Sequence, residues 1–192
     1  MRKSAIYVAT LLTIAALALP AAPVFAEEDW KSMKQESKAM KIKEEAKASL
    51  NELFADNPKA KELYEGSYGW AAFANLKIAL GFSGGGGNGV AVVKETGAKT
   101  FMKMGTAGVG LGLGVNKYDV IFLFQDKQTF DNFVNKGWQA DLSANAAAGT
   151  SGKNAPSTFS DGVAVFQMTN KGLVAQADIA GTKYWKNDKL NK

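Results

Sequence analysis

The spacing of apolar residues changes along the chain, from a helical period of about 3.6 in the front part to a strand period of about 2 behind it. Between Trp30 and Phe54 the chain is rich in Lys, Glu, Ala and Met and contains no Gly or Pro, which predicts one long helix. Asn57-Pro58 then offers an N-cap followed by proline at the first helical position. A short second helix is therefore expected from Lys59 to Glu65, ending at Gly66.

The long predicted helix carries two apolar stripes on roughly opposite sides. The first stripe follows 3-4-4-3 spacing and is expected to dock on the body of the protein. Its members are Ala39, Ile42, Ala46, Leu50 and Leu53. The second stripe is formed by Trp30, Met33 and Met40, and it leaves one face of the helix without a predicted contact.

A basic stripe runs beside this second apolar side. Its four lysines occur at 3-4-3 spacing and are Lys31, Lys34, Lys38 and Lys41. Two interpretations remain open. The lysines can form an ordinary solvated face, or they can belong to a basic amphipathic segment that rests on an anionic membrane surface, with Trp30 at the interface.

Beyond Gly66 the pattern is that of β-structure. Short alternating stretches, separated by turn signals such as Glu95-Thr96-Gly97, predict strands. The predicted strands are 78–82, 90–94, 99–104, 107–115, 119–124, 139–146, 162–168 and 173–182. One helix is expected to interrupt them, from Asp126 to Asn135, with Phe130, Phe133 and Val134 buried. The predicted fold class is therefore α+β: a curled or barrel-like antiparallel β-sheet with a long N-terminal helix and short flanking helices.

Two glycine-rich stretches lie within the strand region. No Gly-Lys-Ser/Thr follows Gly84–Gly87, and a strand is predicted next, so we expect a mobile turn there rather than a phosphate cradle. In the second stretch, glycines alternate with branched residues and therefore share one face of a strand. They are Gly108, Gly110, Gly112 and Gly114. A face without side chains lets another group approach the backbone closely. That group can be a packed helix or a bend of the sheet. Alternatively it can be an acyl chain, and these glycines would then form a cavity wall.

The composition excludes most familiar catalytic chemistry. The 192 residues include no Cys and no His, so the chain has no thiol nucleophile, imidazole base, disulfide, or Cys- or His-ligated metal site. Most carboxylates of the body fall at expected turns or helix ends, where acidic residues act as caps. We therefore expect no enzymatic activity, no cofactor and no metal. The chain has 23 basic and 18 acidic residues, and no basic block with interleaved aromatics points to nucleic acid.

Residues 1–26 have the features of a cleavable signal peptide. Arg2 and Lys3 precede an apolar stretch from Ala5 to Leu19, and Val24-Phe25-Ala26 is similar to a cleavage site. The apolar run is shorter than the roughly 20 residues that span a bilayer, which disfavours a retained anchor. We expect export across the inner membrane to the periplasm. The mature chain would be a single domain at 27–192, with a helical part at 27–66 and a strand-rich body at 67–185.

Four groups of residues occur in an order that is typical of one family. They are Ser67-Tyr68-Gly69-Trp70-Ala71-Ala72-Phe73-Ala74-Asn75-Leu76 with Gly81 and Gly84 to Val90, then Gly108 to Gly112 leading to Val120–Phe124, then Phe130–Phe133 with Gly137-Trp138, and last Val165-Phe166, Lys171-Gly172-Leu173 and Gly181-Thr182-Lys183. Together they resemble the SYLF family of lipid-binding domains, over about Leu63 to Tyr184. The chain departs from the family at Phe73-Ala74-Asn75, where Phe-Pro-Asn is usual, so a less rigid turn is expected there.

The resemblance implies a role at a lipid surface and leaves the lipid unnamed. We expect an exported protein that associates with anionic phospholipid at a membrane surface. The expected lipid-binding residues are Trp30, Lys31, Met33, Lys34, Lys38 and Lys41. The alternative is a non-catalytic structural or protein-interaction module of the cell envelope that uses the same basic face and its sheet edges.

Overall fold

The computed structural model describes residues 25–139, 156–169, 171–174 and 181–192, with the exception of the side chains of residues 25–26, 77–83, 108–116 and 174. The elements in chain order are α1 (Phe25–Asp56), α2 (Pro58–Glu65), β1 (Gly69–Val93), β2 (Lys99–Phe124), α3 (Lys127–Lys136), β3 (Trp138–Gln139), β4 (Val163–Thr169), β5 (Gly172–Val174) and β6 (Thr182–Lys186). The predicted α+β class is confirmed. The expected signal peptide and the expected strand at 139–146 lie almost entirely outside the described residues.

The predicted helices are found close to their expected bounds. Asn57 caps α2 by accepting a hydrogen bond from the Ala60 backbone N–H at 3.2 Å. Asp126 caps α3 in the same way, accepting from the Thr129 N–H at 2.8 Å. These side chains satisfy donors that the first turn of a helix leaves free, which explains why both helices begin where they do.

β1 and β2 form one long antiparallel hairpin, which replaces the five short strands predicted for this region. Pairing runs from Gly69 opposite Phe124 to Val92 opposite Lys99, with a register shift between Leu80 and Phe82. The turn signal at Glu95-Thr96-Gly97 is confirmed, since the chain reverses there and Gly97 has a φ of +68°.

Two turns expected inside β1 are wrong. Gly84–Gly87 is part of the ladder and pairs with residues 104–107 of β2. Phe73-Ala74-Asn75 is also paired, opposite Val120, Asp119 and Tyr118. Turn-forming residue types occur in both stretches, but the partner strand supplies hydrogen bonds along the whole length, and this tertiary contribution outweighs local propensity.

Gly87 and Gly89 let the two halves of β1 lie against each other. A Cβ atom on Gly89 would come within 2.4 Å of the Ala72 carbonyl oxygen, and one on Gly87 within 2.5 Å of the Ala74 carbonyl oxygen. Only glycine fits such an approach of two backbones. The β1–β2 ribbon therefore folds back on itself and curls the sheet.

β2 is the central strand of the sheet, and its two ends have different partners. The strand order is β3-β6-β2-β4-β5, with β1 also paired to β2. β6 pairs with residues 102–106 of β2, and β4 pairs with residues 118–124. All pairings are antiparallel, as predicted.

Both faces of the curled sheet are buried. The inner face holds a cluster rich in aromatic rings, closed by the predicted buried face of α3. The outer face is covered by α1, whose residues Ile42, Ala46, Leu50 and Leu53 are buried against the sheet. Ala39, the remaining member of the predicted docking stripe, is half-buried. The docking stripe is thus confirmed, and it fixes which side of α1 remains free.

Candidate functional site

The N-terminal half of α1 presents its second apolar side to solvent. Trp30, Met33 and Met40 are 64%, 62% and 55% exposed, whereas Leu53 is completely buried. At about 100° per residue, the three exposed side chains lie opposite the stripe that docks on the sheet. The protein therefore displays an apolar ridge on the side of α1 that faces away from its body.

A basic cleft of about 360 Å³ lies beside this ridge, between α1 and the sheet. Its α1 wall is formed by Lys31, Lys34, Gln35 and Lys38. The opposite wall consists of Lys103 from β2 and of Asn187, Lys189 and Leu190 from the segment after β6. Five of these eight described lining residues are lysines and none is acidic. The volume falls in the range of small-molecule sites, about 300–1,000 Å³.

The four lysines of the predicted basic stripe have different surroundings. Lys31 pairs with Glu27 at 2.7 Å and Lys41 pairs with Glu45 at 3.8 Å. Exposed pairs of this i,i+4 type contribute only about 0.3–0.5 kcal/mol. Lys34 and Lys38 form no ion pair with any carboxylate of the described residues. Lys41 lies outside the cleft, so the structure brings three of the four together there.

Lys103 and Lys189 belong to the cleft but were not predicted from the sequence. Met102, Met104 and Tyr184 lie in the inner core, so alternation places Lys103 on the outer face, next to α1. That alternation was visible in the sequence. The position of Lys189 was not, because it depends on contacts between residues about 90 apart.

Those contacts clamp residues 187–191 onto β2. The Asn191 side chain accepts a hydrogen bond from the Phe101 N–H at 2.8 Å and donates to the Phe101 carbonyl at 2.7 Å. It also donates to the Asn187 carbonyl at 2.9 Å, and the Asn187 N–H donates to the Phe101 carbonyl at 2.9 Å. Lys189 lies within this turn and is therefore held against the strand that carries Lys103.

Asn187 is the most buried side chain of the cleft. It is 1% exposed, and its Oδ1 atom has no hydrogen-bond partner in the described part of the chain. Buried side-chain oxygens normally have a partner. A residue that borders the cleft thus carries a buried acceptor without a partner among the described residues.

Trp185 lies beside the cleft on the outer face of the sheet. It is 43% exposed and directly opposite Lys103 in the β2–β6 pairing. Its ring covers Gly105, since a Cβ atom there would lie 3.1 Å from Cη2 of the indole. An exposed tryptophan and a lysine therefore occupy neighbouring positions on one face.

The predicted cavity wall falls on the middle of β2. The backbone of Gly108, Gly110, Gly112 and Gly114 belongs to that strand, with Gly108 opposite Ser83 and Gly114 opposite Ala79. The neighbouring side chains of residues 77–83 and 108–116 lie outside the described residues. The cavity wall stays a prediction.

A polar contact between Ser49 and Asp119 fastens α1 to the sheet. The Ser49 hydroxyl, which is 3% exposed, lies 2.5 Å from Oδ2 of Asp119 on β2. Burial raises the pKa of the Asp119 carboxyl above its ordinary value of 3.8, and the hydrogen bond with Ser49 opposes this effect. The contact borders a cleft of about 200 Å³ that is also lined by Glu52 and Lys117. It holds the docked half of α1 in register with β2.

Two further observations bear on the chemistry of these surfaces. No helix among the described residues is long and apolar enough to cross a membrane. The same residues contain no cluster of three acidic side chains that could hold a metal ion.

Comparison with known proteins connects this architecture to a family. The family described as Ysc84, Las17-binding protein actin regulator, matches residues 105–192. Beta cell expansion factor A of Aeromonas veronii is 39% identical over 140 residues, which make up 73% of this chain and 54% of that protein. The chain thus spans about half the length of this curated relative. The resemblance stated from the sequence is confirmed: residues 105–192 match the Ysc84 (SYLF) family.

Proposed function

We propose that this protein is a non-catalytic module that associates with anionic phospholipid at a membrane surface. Membership of the SYLF family supports a lipid-binding or protein-interaction module. The observation that favours a lipid surface is the combination on α1 of an exposed apolar ridge, formed by Trp30, Met33 and Met40, with an adjacent row of lysines. The surface of an anionic bilayer matches both features, because its headgroups are negatively charged and apolar acyl chains lie directly beneath them.

Two interactions hold the protein at the level of the lipid headgroups: burial of apolar side chains and attraction between lysines and anionic lipids. The apolar ridge enters the boundary between headgroups and acyl chains, where the indole of Trp30 is favoured. The lysines meet the anionic headgroups, and each contributes on the order of 1 kcal/mol. Lys31 and Lys41 can leave Glu27 and Glu45 for lipid phosphates at a small cost in free energy, because both ion pairs are exposed and therefore weak.

The body of the protein serves as the scaffold for this surface. Ile42 to Leu53 hold the second half of α1 against the sheet, and Ser49 joins it to Asp119. A rigidly held helix reaches the membrane with its ridge and lysines already aligned, so less conformational freedom is lost on binding.

The expected location is the periplasm, peripheral on a membrane. The signal-like features of residues 1–26 support export, although most of that segment lies outside the described residues. The residues of the proposed lipid-binding surface all belong to α1, so the surface does not depend on residues 1–24. Fractionation of the host cell tests the location directly, with recovery in the cytosol contradicting it.

Vesicle co-sedimentation of the purified protein tests the proposed function. We expect recovery with vesicles that contain phosphatidylglycerol but not with pure phosphatidylcholine. Reversing the four stripe lysines (K31E, K34E, K38E, K41E) should weaken binding by more than about tenfold, because four favourable contributions become repulsive.

A matched control separates the stripe from net charge. The variant K47E, K59E, K61E, K136E changes the total charge by the same amount at exposed lysines outside the stripe and the cleft. It should keep most of the binding. Equal recovery with both vesicle types, or equal losses in both variants, would contradict the proposal and favour a protein-interaction module.

A further inference from the structure

We propose that the cleft between α1 and β2 is a binding site for the doubly charged phosphate of a phosphomonoester lipid headgroup. Its ligands are three lysines of α1, together with Lys103 of β2 and Lys189 of the 187–191 turn. This inference rests on the proposed function and deepens it. It names the class of headgroup, and it assigns half of the site to residues outside α1.

The charge of the cleft favours a dianion. Its walls bring five lysines together, and the described lining residues include no carboxylate. Within the described part of the chain, Lys31 is the only one of the five that forms an ion pair, with Glu27. A phosphomonoester carries about −1.5 to −2 charges at neutral pH, because its second pKa is near 6. A phosphodiester carries only one, so it relieves less of the repulsion among the lysines.

The body side of the cleft is built before any ligand arrives. The Asn191 amide bonds both backbone polar groups of Phe101, two residues from Lys103. The turn that carries Lys189 is closed by a hydrogen bond from the Leu190 N–H to the Asn187 carbonyl at 3.0 Å. Because these backbones are already fixed, a bound phosphate has only the ends of the lysine side chains to order.

Asn187 supplies an independent sign of a missing ligand. The residue borders the cleft and is 1% exposed, and its buried Oδ1 atom meets no donor among the described residues. A buried acceptor without a partner costs about 1–3 kcal/mol. A lysine drawn inward by a phosphate can donate to this atom. Alternatively, rotation of the amide presents Nδ2, which donates to a phosphate oxygen.

Trp185 extends the site toward the membrane. It neighbours Lys103 on the outer face and is partly exposed. Indole rings are favoured at the level of lipid headgroups. A headgroup in the cleft would therefore remain attached to a bilayer that Trp185 touches, which favours a lipid over a free phosphate as the source of the group.

Comparing two anionic vesicles of equal surface charge tests the headgroup class. One contains phosphatidic acid, a phosphomonoester, and the other phosphatidylglycerol, a phosphodiester, with the contents adjusted to the same zeta potential. We expect the protein to bind the phosphatidic acid vesicles about tenfold more tightly, the ratio that corresponds to one additional charge-assisted contact. The variant K103Q, K189Q should lose this preference and keep its binding to phosphatidylglycerol within about twofold.

A control variant and a soluble ligand complete the experiment. K136Q, K171Q removes two exposed lysines away from the cleft and should keep the preference. Glycerol 3-phosphate, added without vesicles, should shift the backbone amide NMR signals of Lys103, Asn187 and Lys189 in the unmodified protein, whereas glycerol should not.

The outcomes separate this inference from the proposed function. If the protein binds neither vesicle, the proposed function is contradicted. If glycerol 3-phosphate also causes no NMR shifts, the phosphate site in the cleft is contradicted as well. Equal binding to both vesicles, or equal losses in K103Q, K189Q on both, overturns the cleft and leaves adhesion by α1 intact. Shifts by glycerol 3-phosphate with no vesicle binding would identify a soluble phosphate and overturn the lipid headgroup.

Discussion

The side-chain amide of Asn191 pairs with both backbone polar groups of Phe101. The Phe101 N–H donates to Oδ1 at 2.8 Å, and Nδ2 donates to the Phe101 carbonyl at 2.7 Å. β6 pairs with β2 from Met102 onward, and the Asn187 N–H after it still donates to the Phe101 carbonyl. The Asn191 oxygen therefore takes the place of a strand carbonyl opposite the Phe101 N–H. One side chain thereby prolongs the sheet edge and positions the wall of the basic cleft.

Replacing Asn191 by Ala should loosen this wall without unfolding the protein. The change leaves the N–H and the carbonyl of Phe101 without their side-chain partner, at a cost of about 1–3 kcal/mol if water cannot replace it. We expect faster hydrogen exchange at the Phe101 amide and a reduced preference for phosphomonoester vesicles. N191D should restore the bond to the N–H but not the one to the carbonyl. Unchanged exchange at Phe101 in N191A would show that the clamp is not needed.

Gly89→Ala should destabilise the fold strongly. The new Cβ atom would lie 2.4 Å from the Ala72 carbonyl oxygen and 2.4 Å from the Phe73 ring, so one half of β1 must move away from the other. Overpacking of this kind typically costs about 1–3 kcal/mol. Urea unfolding measures the loss.

Gly84→Ala is the matched control for that experiment. It lies in the same strand, but a Cβ atom there meets nothing within 4 Å among the described residues. We expect it to be neutral or to stabilise by about 0.4–1 kcal/mol, because alanine restricts the unfolded chain. Equal destabilisation by the two substitutions would refute the role assigned to close backbone approach.

Burial of the Asp119 carboxyl should make the stability of the fold depend on pH. Burial raises the pKa of Asp119 above 3.8, so between 3.8 and the raised value the folded protein binds more protons than the unfolded chain. The contribution of this group to the free energy of unfolding therefore falls as the pH rises through that window and is larger at acidic pH. D119N keeps an acceptor for Ser49 and should remove this part of the slope. Identical pH profiles of stability in the two proteins would exclude the assignment.

Tyr184→Phe should stabilise the inner core. The ring packs among Phe73, Phe122 and Phe133, while the hydroxyl is buried without a hydrogen-bond partner in the described residues. Burial also raises the pKa of Tyr184 well above its ordinary value, so the phenol stays neutral. Removing the hydroxyl should raise the free energy of unfolding by about 1 kcal/mol. A lower unfolding midpoint in urea would instead indicate a bound water as its partner.

The helical part of this protein could be predicted because its signals are local. The docking stripe from Ile42 to Leu53 and the caps at Asn57 and Asp126 depend on residues within one or two turns. The same locality explains why Trp30 and Met33 were expected on a free face and are exposed there.

The strands were harder to predict because pairing depends on distant residues. Gly84–Gly87 has the composition of a turn, yet it is part of a strand because residues 104–107 run alongside it. The composition of this stretch does not reveal that partner. At Gly87, and at Gly89 just beyond it, the missing side chain allows the two halves of the β1 backbone to approach closely.

The sequence by itself determined the helices, the α+β class and the row of lysines on α1, because each follows from periodicity within a short stretch. Only the tertiary structure decided which of those lysines share a cleft, and that Lys103 and Lys189 join them. The physical reason is that the cleft depends on the curl of the β1–β2 hairpin and on the hydrogen bonds from Asn191 to Phe101. Such contacts join residues far apart in the chain, and no local pattern records them.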